Sequence, residues 1–180
     1  MSVSQPVAST PPARPIARLT TELRITGVGQ VAIGVAGLLV SVVAGDVEVV
    51  RALVPFTLCL VLIGGLSFVS TRWMRSDEDL PPAGGVRVED SAGTMRRCVV
   101  GLVLALAAVG LVGAAGAGLA AVLGGVVAAV GAVDLVNHQK VRLREEATDA
   151  AIYRELGGSP FSAGRRPLYT RPLNESTLAM

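Results

Sequence analysis

Side chains that do chemistry are scarce in this chain. It contains one Trp, two Tyr, three Phe, one His and two Cys. The single histidine, His138, excludes a histidine-rich metal centre. Cys59 and Cys98 lie far apart in sequence and lack the spacing of metal ligands, so each reads as a small apolar residue rather than half of a redox pair. There is no nucleotide-binding loop and no Ser or Cys set beside a base. No aromatic residues interleave with the basic ones as a nucleic-acid surface requires. Enzymatic activity, a cofactor, a bound metal and a nucleic-acid partner are therefore not expected. Charge is sparse too: 17% of residues are charged, against roughly 25% in soluble domains.

What the chain has instead is aliphatic length. Hydrophobic residues make up 51% of it, with a mean hydropathy of +0.58, and they fall in blocks near 25–45, 52–71 and 98–135 with charges between them. Segregation of this kind marks a polytopic membrane protein rather than a globular core. The longest uninterrupted stretch, 101–133, reads GLVLALAAVGLVGAAGAGLAAVLGGVVAAVGAV and holds only Gly, Ala, Val and Leu.

The blocks at 25–45 and 52–70 each suit one crossing of a hydrocarbon layer roughly 30 Å thick. Pro55 is expected in the first turn of the second crossing, where a missing N–H does no harm. Trp73 follows at headgroup depth. As one helix, 98–133 would run about 54 Å, too long for a single crossing. Split in two, it gives spans of about eighteen residues, near the lower limit, with the turn in GAAGAG at 113–118, where glycine permits a tight reversal. The competitor is one tilted span with a leftover helix.

Charge decides between them. Fifteen of the sixteen basic residues are Arg, the other being Lys140. They lie in the N-terminal segment (Arg14, Arg18, Arg24), the 71–97 loop (Arg72, Arg75, Arg87, Arg96, Arg97) and the tail (Lys140, Arg142, Arg144, Arg154, Arg165, Arg166, Arg171), with Arg51 alone in the 46–51 loop. Four crossings put the first three groups on one side, which the positive-inside rule makes cytoplasmic. Three crossings would export the basic tail. The expected architecture is all-α: four transmembrane helices as two hairpins, 25–71 and 98–136, with both termini cytoplasmic. The segment VVAG at 42–45 resembles a signal-peptidase site, but the preceding run is longer than a signal core, so a retained helix is expected. The Arg bias, with abundant Ala, Gly and Val, suggests a GC-rich bacterial genome and hence the bacterial inner membrane.

Outside the bilayer, residues 1–24 form an N-terminal cytoplasmic segment, Pro/Ser-rich and disordered over 1–17. Residues 72–97 form a flexible cytoplasmic loop with PPAGG in its middle. Residues 137–157 extend the fourth helix until Gly157 and Gly158 stop it, and 158–180 form a disordered tail. RRPLYTRPL, 165–173, is a candidate docking motif or anionic-lipid contact within that tail.

No ionisable group falls inside the four spans as drawn, which argues against an ion-coupled path. Polar candidates are few. Gln30 can bond another helix or touch a solute. Asp134 and His138, four apart on one helix face, are a candidate pH-sensitive pair or half a metal site. Glu48 and Arg51 can pair in the outer loop. Small residues say more. Ala121, Gly125 and Ala129 form one small-xxx-small row, Gly124, Ala128 and Ala132 a second, and Gly37 with Ser41 a lesser one. Such rows let helix backbones approach closely, and two rows on the fourth span predict packing on two of its sides, within the bundle or against a partner. A bilayer and a membrane-protein partner or second copy are the expected contacts. The function expected is an accessory or scaffolding subunit. The alternatives are a holin-like pore and a small-solute permeability protein using Gln30 and Thr57.

Overall fold

The computed structural model describes residues 15–43, 47–75, 80–83, 87–156 and 168–173. Its elements run β1 (Ile16–Arg18), α1 (Leu19–Val43), α2 (Val49–Ser70), a 3-10 turn (Arg72–Arg75), α3 (Ser91–Ala115), α4 (Ala117–Thr148), β2 (Ala150–Glu155) and β3 (Leu168–Pro172). All four α-helices are long and apolar enough to cross a membrane, the architecture of a multi-pass membrane protein.

Side-chain contacts give the helix directions. Thr20 meets His138 and Thr26 meets Asp134, while Gly34 lies on Gly124 and Gly37 on Ala120, so α1 and α4 run antiparallel. Phe56 lies beside Gly125 and Gly64 near Ala129, and Thr71 meets Asn137, so α2 runs parallel to α4. Arg97 meets Glu22 and Val109 meets Gly37, so α3 runs parallel to α1. Successive helices therefore alternate in direction.

Helix α4 is the hub, and small residues put it there. A Cβ on Gly124 would lie 2.7 Å from the Gly34 carbonyl oxygen, and one on Gly131 2.7 Å from that of Gly27. The two backbones touch, leaving no room for side chains between them. On another side of α4, a Cβ on Gly125 would lie 2.5 Å from the Phe56 carbonyl oxygen. The row Gly124–Ala128 thus faces α1 and the row Ala121–Gly125–Ala129 faces α2. Ala121, Gly124, Gly125, Ala128 and Ala129 are all buried, and Ala132 is half-buried. Both rows serve the bundle itself.

The break between α3 and α4 falls at Gly116, inside the 113–118 stretch. Its backbone is extended, with φ 177°, a conformation any residue adopts, so the reversal does not depend on glycine as the sequence argument supposed. Its N–H closes α3 by donating to the Val112 and Gly113 carbonyls at 3.2 Å each. At the other end of α3, Asp90 caps the helix by accepting from Gly93 N at 2.9 Å.

The chain is mostly helical but not all-α. Strands β1, β2 and β3 form an antiparallel sheet in that order, with Ile16 opposite Glu155 and Ile152 opposite Thr170. The 72–97 region, expected to be a flexible loop, bonds to both sheet edges: Ala83 N donates to Thr170 O at 2.9 Å, and Glu89 N to Ile16 O at 2.7 Å. The pleat sends β2 side chains to two clusters. Ile152 joins Leu19, Leu23, Val141 and Leu168 on one side, and Ala151 and Tyr153 join Ile16 on the other. The N-terminal segment, the middle loop and the tail thus meet at one end of the bundle, and Arg51 lies at the other.

Four expected boundaries move for physical reasons. Helix α1 starts at Leu19, not 25, because Leu19 and Leu23 are buried against Val141 and Ile152. Helix α2 starts at Val49, so Pro55 is interior and leaves the Arg51 carbonyl without its helical donor. Helix α4 stops at Thr148 rather than at Gly157: Asp149 takes a left-handed conformation, φ 49°, and donates its N–H to Glu145 O, a conformation a short polar side chain tolerates. Part of the expected disordered tail is strand β3. The expectations for 1–14, Asp46, the end of VVAG, the end of PPAGG, Gly157 and Gly158, and most of 158–180 lie outside the described residues.

Candidate functional site

A polar network ties the sheet to the helix ends. Glu22, in the first turn of α1, is 6% exposed. It accepts from Arg97 Nη1 of α3 at 2.9 Å and from Arg154 of β2. Arg97 also donates to Glu89 Oε2 at 3.2 Å, and Thr94 holds that same oxygen at 2.8 Å. One carboxylate therefore joins three segments distant in sequence. A second buried carboxylate, Glu145, accepts from the backbone N–H of Ile152 at 2.8 Å and from Arg18 Nη2 at 3.4 Å, fixing the start of β2 to the end of α4. Charges buried this way need partners, and removing one partner of such a pair costs about 3–5 kcal/mol.

Between α1 and α3 the network opens into a cavity of about 220 Å³ lined by Glu22, Thr26, Gln30, Arg97, Cys98 and neighbours on α3. Glu22 Oε2, Gln30 Oε1 and Arg97 Nε are buried with no hydrogen-bond partner among the described residues. A polar cavity of this size admits water, and water would supply donors to both oxygens. Glu22, Thr26 and Gln30 stand at i, i+4 and i+8, one stripe reaching about 12 Å along α1.

The sequence-derived candidates separate here. Gln30 lines the cavity, whereas Thr57 is exposed on α2 and is not among the lining residues. Asp134 and His138 both face α1 but bond it separately. Thr26 Oγ1 lies 3.1 Å from Asp134 Oδ2 and 2.9 Å from the Glu22 carbonyl, so one proton serves two acceptors. His138 Nδ1 donates to the Thr20 carbonyl at 3.0 Å. No hydrogen bond joins Asp134 to His138, and no group of three or more metal-ligating side chains assembles among the described residues. Ser41, fully buried, donates its one proton toward Gly37 O at 2.9 Å and Ala117 O at 2.5 Å, clasping α1 to the start of α4. Glu48 and Arg51 pair at 3.4 Å on an exposed face.

Sequence reasoning missed Glu22, Arg97, Arg154, Glu145 and Asn137. Asn137 is 0% exposed and donates to Thr71 Oγ1 at 3.0 Å. The available signal was the Glu22–Thr26–Gln30 spacing, hidden because the first span was drawn from residue 25. The pairing of Glu22 with Arg154, 132 positions away, has no local signal. No protein-family model, curated protein or solved structure matches the chain, so what it does must be read from its own residues.

Proposed function

We propose that this chain is a bacterial inner-membrane protein with both termini and the middle loop cytoplasmic, acting as a non-enzymatic accessory or scaffolding subunit. The grouping of three Arg-bearing segments at one end of the bundle supports that orientation through the positive-inside rule.

The observation that carries the subunit reading is the outward surface of α2 and α3. Both small-residue rows of α4 are occupied inside the bundle, so they no longer argue for a partner. Helices α2 and α3 expose Val54, Leu58, Val61, Leu66, Val103, Leu104 and Leu111. Among these lie Gly65 and Gly110, where an added Cβ would meet nothing within 4 Å. In lipid the aliphatic side chains alone favour no partner, but the open glycines leave room for the backbone of another transmembrane helix to approach.

The test is purification from native membranes in a gentle detergent, comparing the chain with a Gly65→Leu, Gly110→Leu double variant. A stoichiometric membrane partner that the double variant loses supports the reading. Recovery of the unaltered chain as one monodisperse monomer counts against it. Self-association with dye leakage on expression favours the holin-like pore, in which those glycines meet a second copy.

A further inference from the structure

A second concavity adjoins the polar network and shares Arg18 and Glu145 with it. It is a groove of about 830 Å³ between the first turns of α1 and the end of α4. Its lining is graded. Along α1 the basic Arg18 and Arg24 give way to Ile25 and Val28, with His138 and Arg142 of α4 at the sheet end and Met95 near the start of α3. Val28 is 56% exposed, so the apolar end is open.

Charge favours an anion. Glu145 and Glu146 also line the groove, but each has its own arginine: Glu145 is held by Arg18 at 3.4 Å and Glu146 by Arg142 at 2.8 Å. Arg24 is exposed and has no ion pair among the described residues. His138 Nδ1 donates to the Thr20 carbonyl, which leaves Nε2 as an acceptor, so the donors open to an anion are the arginines. The positive end of the α1 dipole opens at the same place.

We propose that this groove binds one anionic phospholipid, its phosphate on Arg24 with Arg142 beside it, and its first acyl methylenes on Ile25 and Val28. The gradient along α1 from basic to apolar follows the order of headgroup and chain in a leaflet. A free anion would use only the basic end and leave the apolar wall unexplained. The inference rests on the reading that the chain spans a bilayer with the sheet end in the headgroup layer. Recovery of the native chain from an aqueous fraction without detergent would end that reading. A membrane-bound chain without lipid preference would end only this one.

The test uses the full chain in detergent, titrated with phosphatidylglycerol or phosphatidylcholine, with retained lipid counted by native mass spectrometry. One phosphatidylglycerol retained in preference to phosphatidylcholine is expected. Arg24→Gln should weaken retention about fivefold, the effect of one arginine near a lipid surface, and Arg142→Gln should act in the same direction. Arg51→Gln, at the far end of the bundle, should leave retention unchanged. Arg24 is exposed and unpaired among the described residues, so its loss strands no buried partner, and an unchanged helical signal confirms that each variant is folded. Equal retention of both lipids, an equal loss in Arg51→Gln, or full competition by inorganic phosphate would each overturn the proposal.

Discussion

Helices α2 and α4 contain equally apolar stretches, yet 44% of that stretch is buried in α4 and 6% in α2. Apolarity does not separate them. Side-chain size does. At the contact positions α4 offers Ala121, Gly124, Gly125, Ala128 and Ala129, whereas α2 is built largely from Val, Leu and Phe and buries only Ala52 and Phe56. In lipid, burying a leucine against another helix removes it from an environment as apolar as itself, so the hydrophobic effect supplies little driving force. Van der Waals contact and short polar bonds remain, and both favour the helix whose backbone can be approached. The hub of this bundle is therefore its least bulky helix.

The strongest way to break this contrast is to give α4 one of α2's side chains. Gly124→Leu places a Cβ 2.7 Å from the Gly34 carbonyl oxygen and 3.5 Å from the Gly37 Cα. Both are backbone atoms on α1, which cannot swing aside. Overpacking of this kind costs about 1–3 kcal/mol and sometimes more, and the upper end is expected because no flexible side chain can yield. Unfolding by SDS in mixed micelles should begin at a clearly lower detergent fraction than for the unaltered chain. A Gly124→Leu variant as stable as its parent would show that the α1–α4 contact is not what centres the bundle.

A smaller effect should come from the polar clasp at the far end of the same interface. Ser41 is fully buried and reaches Ala117 O across the α1–α4 seam. Hydrogen bonds between membrane helices are worth about 0.6 kcal/mol on average and rarely above 1.7. Ser41→Ala should therefore cost about 1 kcal/mol in the same titration, well short of Gly124→Leu. A larger loss for Ser41→Ala than for Gly124→Leu would make the seam polar in origin rather than steric.

The sequence carried the parts of this architecture that depend on local pattern. Three apolar blocks, the helix break within 113–118 that divides the third, and the two rows on α4 all repeat with the helical period or stand out by composition. The end of the bundle was much less legible. β1 is three residues long, and neither IAR nor LYTRP alternates long enough to be recognised as a strand. These segments become strands because the helix ends bring them together and Ile152, Ile16 and Tyr153 find apolar neighbours there. The candidate site suffered similarly. Gln30 was visible as a polar residue in an apolar run. Its partners in the cavity wall were not, because Glu22 was assigned to the segment before the membrane and Arg97 to the loop before α3. Both lie inside helices that start six or seven residues earlier than the apolar blocks do.

The smallest expected effect is also the sharpest check on the comparison, because it concerns the sign of one chemical change at two places. Gly→Ala in a helix interior removes backbone freedom from the unfolded chain and is favourable by about 1 kcal/mol where nothing obstructs the methyl group. At Gly65 of α2 an added Cβ meets nothing within 4 Å; at Gly125 of α4 it meets the Phe56 carbonyl oxygen at 2.5 Å. Gly65→Ala should thus leave stability unchanged or raise it by a few tenths of a kcal/mol, less than in water because the unfolded chain in a micelle remains partly helical. Gly125→Ala should lower it. The two variants, measured side by side in mixed micelles, should move the unfolding midpoint in opposite directions. A loss at Gly65 equal to that at Gly125 would mean that the outward face of α2 is already packed, against a second copy or a bound lipid, even in the purified chain.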